Sequence, residues 1–221
     1  MPRPSLFVTR KLPPDVEARL ARDYEAELNE ADDLPARETI LAGAAGKDGL
    51  LVTVTDRIDG DLIRALPETV KVIATFSVGY DHIDAAHAGA RGVMVTNTPD
   101  VLTEEVADTA LGLLLCTARD FCKAEQWVRQ GRWEKDGPFP LSRSTLRGRK
   151  VGIFGLGRIG QAVARRLEAF GLEVAYHSRR KVEGVDYAYF PSLIELATHV
   201  DTLISIAPGT PETEKAVNRQ V

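Results

Sequence analysis

Gly155-Leu156-Gly157-Arg158-Ile159-Gly160 stands directly between the apolar run Val151–Phe154 and the alanine-rich stretch Gln161–Phe170. The order reads as strand, tight turn, helix, and the chemistry such a turn can do is to hold phosphate. The first glycine closes the turn, the second lets backbone approach a diphosphate, and the third lets helix and strand pack closely. The helix that follows aims its unpaired N–H groups and the positive end of its dipole at the anion. A glycine-rich turn with no ligand is the alternative, but here all three elements occur in the required order.

The next strand, Glu173–Ser178, identifies the dinucleotide. An acidic residue at its end would grip the ribose hydroxyls of NAD. No acid stands there. The chain runs instead into His177-Ser178-Arg179-Arg180-Lys181, where a hydroxyl and two guanidinium groups suit a 2′-phosphate that a carboxylate would repel. NADP(H) is preferred and NAD(H) admissible; the bland alternative is a solvated basic loop after an edge strand.

The elements that must position these residues alternate from the start of the chain. Apolar runs at Leu6–Thr9, Gly49–Val54, Lys71–Phe76 and Val93–Thr96 are interleaved with helical patterns opening near Pro14 and covering Asp61–Leu66 and Asp84–Ala90. Strands spaced by helices predict βαβ units and a parallel sheet, here one α/β domain over residues 1–99. The rest, 100–221, forms a second domain. It opens with a long helix from Thr103, a candidate N-cap, to about Arg129, which is expected to bridge the two domains. Gly131–Arg149 then reads as an irregular arm, too long for an ordinary connection. The second sheet takes Lys150–Phe154, Glu173–Ser178, a short strand at Asp186–Tyr189, and Asp201–Ala207. The fold class is α/β with two doubly wound domains, one flavodoxin-like and one a dinucleotide-binding Rossmann domain that is incomplete. Only one βαβαβ half and the first strand of the next are expected, leaving a bare strand edge.

Composition excludes several classes. With 28 basic and 32 acidic residues among 221, the net charge is −4, so no broad nucleic-acid surface is expected. No apolar run is long enough for a membrane span and no signal-peptide pattern is present, so the expected location is cytoplasmic. Cys116 and Cys122 read as small core residues on different faces of one helix.

Several further motifs fall in a fixed order: Ser77-Val-Gly-Tyr-Asp-His-Ile-Asp84, Asn97-Thr-Pro99, Thr103-Glu-Glu-Val-Ala-Asp108, and Pro208-Gly-Thr-Pro-Glu-Thr213 with Val217-Asn218. Together with the glycine turn they make the chain resemble the D-isomer-specific 2-hydroxyacid dehydrogenases along essentially its whole length. The basic Ser178-Arg179-Arg180 step looks like the NADPH-dependent glyoxylate and hydroxypyruvate reductases. The resemblance implies hydride transfer from NADPH to a small 2-oxo acid, giving the D-2-hydroxy acid. It implies a substrate-carboxylate loop at Val78 and Gly79, which from the residues alone would equally be a plain β-turn. It also implies a role for Thr103 near the nicotinamide, for Arg158 and Ile159 against the diphosphate, and for Ala207, Pro208 and Thr213 beside cofactor phosphate and ribose. Loop rigidity alone would also explain Pro208 and Pro211.

The catalytic arginine, glutamate and histidine implied by the resemblance match no position here and are expected beyond residue 221, so this chain alone is expected to be inactive. His82, His87, His177 and His199 lack a defensible carboxylate partner in sequence and read as capping or surface residues. Asp81 and Asp84 read as helix caps, and no metal site is expected. The resemblance implies a homodimer through the long helix and arm, which carry Trp127, Trp133, Arg129, Arg132 and Arg143; packing of the tryptophans on their own domain is the alternative. A nicotinamide-dinucleotide-sensing, corepressor-like binding protein or a non-catalytic fragment are the rival readings.

Overall fold

The computed structural model describes residues 2–140, 142 and 144–221. The chain divides into two units, Met1–Val101 and Leu102–Val221.

In the first unit the strands are β1 (Ser5–Val8), β2 (Glu25–Glu27), β3 (Gly49–Val52), β4 (Val72–Thr75) and β5 (Met94–Thr96). The helices between them are α1 (Pro14–Asp23), α2 (Arg37–Gly43), α3 (Gly60–Ala65) and α4 (Ala85–Ala90). All pairings are parallel and the order is β2-β1-β3-β4-β5, the flavodoxin-like arrangement. The order in which successive strands are added reverses between β1 and β3, while every strand keeps the same direction, so ligands are expected outside the carboxyl ends near that step. Leu50, Val52, Ile58, Leu62, Ile63, Val70 and Ile73 form the fully buried centre. At the end of α4, Gly92 takes φ +74°; its N–H donates to the Gly89 carbonyl and that of Val93 to the Ala88 carbonyl. This is the pair of hydrogen bonds that closes a helix through a left-handed glycine.

The second unit begins with α5 (Thr103–Arg119), α6 (Phe121–Arg129) and α7 (Arg132–Asp136). It continues through β6 (Lys150–Phe154), α8 (Arg158–Ala169), β7 (Glu173–His177), β8 (Ala188–Phe190), α9 (Leu193–His199) and β9 (Thr202–Ser205). Its sheet is parallel in the order β8-β7-β6-β9. Renumbered from its own first strand this is 3-2-1-4, the Rossmann order up to its switch point. α8 buries Gly160, Val163, Ala164 and Leu167 at helical spacing. It ends in the same glycine closure, with Gly171 at φ +71°.

The structure corrects some expectations and adds detail to others. The single helix to Arg129 is broken at Asp120, which takes the left-handed conformation at φ 54°. Asp is one of the few L-residues that adopts it readily. α5 packs within the second unit, where Ala107, Leu111 and Leu114 join Val151, Val163 and Leu167 in one core. Thr103 is the first helical residue, not the cap; Leu102 holds the cap position and makes no side-chain cap bond. The arm contains a short helix, α7. Cys122 is exposed and lies on a different helix from the half-buried Cys116. β2 and α2 had no counterpart in the sequence reading. Among the described residues, no helix is long and apolar enough to cross a membrane.

Candidate functional site: a glycine turn and the loop after β4

The turn after β6 is built from what glycine lacks. Gly155 sits at φ +100°, and a Cβ there would come within 2.8 Å of the Ala207 backbone, so this turn lies directly against the exit of β9. Its N–H donates to the His177 carbonyl at 2.8 Å, tying the ends of β6 and β7. A Cβ on Gly160 would strike the Gly155 carbonyl oxygen, so only glycine lets α8 start this close. Gly157 differs from both. A Cβ there would meet nothing within 4 Å; this backbone face is open. Gly157 also caps α8 with no side-chain bond, and no acidic residue occupies the first turn. The leading amides of a helix have no intrahelical acceptor, so an open, uncapped, acid-free helix start fits a diphosphate. Arg158 is exposed at the first helical position. Leu156 is buried in the core, leaving its main chain to meet a ligand, and the half-buried Ile159 packs against that core.

The basic loop follows β7. Its shape is fixed from below: the hydroxyl of the fully buried Tyr176 accepts from the Val182 N–H at 2.9 Å. Ser178 Oγ donates to the Arg180 carbonyl at 2.6 Å, so its proton serves the loop itself. Arg179 and Arg180 are exposed. His177, the last residue of β7, places Nδ1 2.9 Å from the Phe190 carbonyl and stacks on Phe154. A cavity of about 330 Å³ lies here, lined by Phe154, His177, Arg179, Leu193, Glu212 and Thr213 among others. Glu212 is held below the usual carboxylate range, first by a hydrogen bond from Thr210 and also by the charge of Arg179.

At the exit of β9, Thr213 Oγ1 donates to the Pro208 carbonyl at 2.6 Å and accepts from the Thr210 N–H at 2.9 Å. Ala207, Pro208 and Thr213 line a second cavity of about 270 Å³, which also touches Phe154. The glycine turn, the basic loop and the 207–213 segment thus converge on the carboxyl ends of β6, β7 and β9. Thr103 lines neither cavity.

In the first unit, Val78 and Gly79 follow β4 at its carboxyl end. Asn97 Nδ2 donates to the Val78 carbonyl at 2.8 Å, and Ser77 Oγ to the Gly79 carbonyl at 2.6 Å. The sequence reading missed these two supports, although Ser77 and Asn97 stood in its motifs.

Each histidine has a partner. His87 pairs through Nδ1 with Asp84 at 2.8 Å, contrary to expectation, and the same carboxylate caps α4 by accepting from the His87 N–H. His199 lies 3.6 Å from Glu173. His82 contacts Thr75, and burial holds its pKa below the ordinary value, against the pull of Asp81 and Asp56. Among the described residues no group of three His, Cys, Asp or Glu could hold a metal ion. In the arm, Trp127 donates to the Gly137 carbonyl at 3.0 Å, lies edge-on to Phe139 and carries the Arg132 guanidinium 3.6 Å above its ring. Trp133 is exposed. Arg143 lies outside the described residues.

A parallel sheet with an open glycine turn at its switch point defines the Rossmann class of dinucleotide-binding proteins. Comparison with known proteins narrows this. The family described as "D-isomer specific 2-hydroxyacid dehydrogenase, NAD binding domain" matches residues 111–221. A glyoxylate reductase of Thermococcus onnurineus is 38% identical over 225 residues, covering 99% of this chain and 67% of the relative. A hydroxyphenylpyruvate reductase of Plectranthus scutellarioides is 47% identical over 163 residues, or 74% of this chain and 51% of the relative. Among solved structures, an NADPH-dependent glyoxylate/hydroxypyruvate reductase from Sinorhizobium meliloti, in complex with NADP and malonate, superposes with a TM-score of 0.90. It is 50% identical, and the match covers 99% of this chain and 66% of that one. The chain belongs to the D-isomer specific 2-hydroxyacid dehydrogenase family. It spans between about half and two thirds of the length of these relatives.

Proposed function

We propose that this chain carries the NADPH-binding and substrate-carboxylate-binding parts of a reductase that converts a small 2-oxo acid, of the glyoxylate or hydroxypyruvate type, into the D-2-hydroxy acid. The observation that carries this reading is the open backbone face at Gly157 beside the uncapped start of α8. In this assignment the amides from Gly157 to Gly160, with Arg158, hold the diphosphate, and Thr213, Ala207 and Pro208 flank it. Arg179 and Arg180 take the 2′-phosphate, where two guanidinium groups favour NADPH over NADH. The outward amides of Val78 and Gly79 hold the substrate carboxylate, with Thr103 toward the nicotinamide end. The first unit is thus the substrate domain and the second the cofactor domain.

The bound cofactor supplies the hydride that goes to the carbonyl carbon. The oxygen then needs a proton, and all four histidines here are engaged in local contacts. We assign no catalytic residue within residues 1–221 and expect this chain to show no NADPH oxidation with glyoxylate above the buffer rate. The chain is also assigned to a homodimer, supported by the apolar side chains of Leu113, Phe121, Val128 and Trp133 exposed along α5 to α7.

The cofactor reading is tested on this chain by fluorescence titration with NADPH and NADH. Replacing both Arg179 and Arg180 by Ala should weaken NADPH binding by about 2 to 4 kcal/mol, from the charge-assisted bonds removed, and leave NADH unchanged. Equal losses for both cofactors would remove the 2′-phosphate assignment.

A further inference from the structure

The anion loop after β4 is held by a directed set of hydrogen bonds, and their direction follows from counting protons. The Gly79 carbonyl can only accept, so the single Ser77 hydroxyl proton points to it across 2.6 Å. Thr75 Oγ1 lies 2.7 Å from Ser77 Oγ, so Thr75 is the donor there. Its own proton is then committed, and the 2.9 Å contact between Thr75 Oγ1 and His82 Nε2 requires a proton on Nε2. The run is one-way: His82 to Thr75 to Ser77 to the Gly79 carbonyl. Thr75 and Ser77 are buried and His82 half-buried, so water competes little for these bonds.

Two more bonds reach the same loop from the segment after β5. Asn97 Nδ2 donates to the Val78 carbonyl at 2.8 Å and the Thr98 N–H to the Ser77 carbonyl at 2.9 Å. Three successive carbonyls, of residues 77, 78 and 79, are therefore held by protein donors. In a planar trans peptide the N–H of the next residue points opposite to the carbonyl. The amides of Val78, Gly79 and Tyr80 are thus turned away from those donors, and none of them donates a hydrogen bond among the described residues, although Asp81 Oδ1 lies beside Gly79, 2.9 Å from where a Cβ on that glycine would stand.

We propose that His82, Thr75, Ser77 and Asn97 are positioning residues for this reaction, fixing the carbonyl side of the loop so that three consecutive amides form a preorganised site for the substrate carboxylate. This rests on the assignment of Val78 and Gly79 to the substrate. None of the four needs to touch the substrate; each acts through the loop.

The test is amide NMR on the ¹⁵N-labelled chain titrated with glyoxylate in the absence of cofactor. Saturable shifts are expected at Val78, Gly79 and Tyr80. Ser77→Ala and Asn97→Ala should each weaken the apparent affinity about fivefold, the equivalent of one hydrogen bond. Ser77→Thr, which keeps the hydroxyl, should restore it. The imidazole ¹⁵N shifts of the unmodified chain supply a readout independent of any variant and should report His82 protonated at Nε2. Should the alanine variants titrate like the parent, or His82 prove to be the Nδ1–H tautomer, the positioning role falls while the substrate assignment stands. Should the parent amides stay still under glyoxylate while NADPH still binds, the carboxylate assignment falls and takes the positioning role with it.

Discussion

Gly157→Ala separates binding from folding more cleanly than any other substitution in the turn. At φ −77° alanine is sterically at ease, and its Cβ meets no atom within 4 Å. Removing a glycine from the unfolded chain stabilises by roughly 0.4–1 kcal/mol. Alanine is a poorer helix cap than glycine by a comparable amount, typically under about 1 kcal/mol. The two effects oppose each other, so the melting temperature should move by no more than a few degrees. The new methyl, however, projects into the space assigned to the diphosphate. Losing one or two charge-assisted amide bonds costs about 3 kcal/mol, more than a hundredfold in Kd. NADPH fluorescence titration beside a thermal melt measures both quantities on the same sample. Unchanged NADPH affinity in a folded Gly157→Ala protein would refute the assignment of the turn.

Gly155→Ala should behave in the opposite way, because its Cβ would meet the Ala207 backbone at 2.8 Å and the backbone sits at φ +100°. A destabilisation of about 2 kcal/mol or more is expected by chemical denaturation, of the order seen for strained positions. His82 should make stability depend on pH. Its folded pKa is lowered by burial below the ordinary 6.5, so the unfolded chain binds the proton more readily, and this contribution is full above 6.5 and lost as pH falls through the folded value. His82→Gln should flatten that part of the denaturation profile, and an unchanged slope would assign it to another group. The proposed homodimer is checked by light scattering: Phe121→Glu and Val128→Glu should give monomers without loss of helical signal.

What the sequence revealed and what it hid divide on physical grounds. The glycine turn was legible because three backbone requirements coincide at fixed spacing, and α8 because its buried residues recur at helical period. β2 was not, since Glu25-Ala-Glu27 is a short edge strand with half-exposed or exposed side chains and no apolar signature. The break at Asp120 carries no glycine or proline, and helix-forming residues stand on both sides. Only the left-handed tolerance of Asp, with its carboxylate 2.7 Å from Lys123, accounts for it. The direction of the Thr75, Ser77 and His82 bonds needs tertiary contacts between residues whose spacing implies no pairing. The same holds for Asn97, whose place in a motif says nothing of the carbonyl it reaches.

The buried phenol beneath the basic loop has a consequence for redesign. Tyr176 grips Val182, and Tyr189 reaches the Ser178 carbonyl at 3.4 Å; these anchors are not the arginine side chains. The loop's path and its charge are therefore encoded by different residues. Under the proposed 2′-phosphate assignment, acidic replacements at 179 and 180 should shift the coenzyme preference while the scaffold keeps its trace, whereas Tyr176→Phe should loosen the trace with every charge still in place.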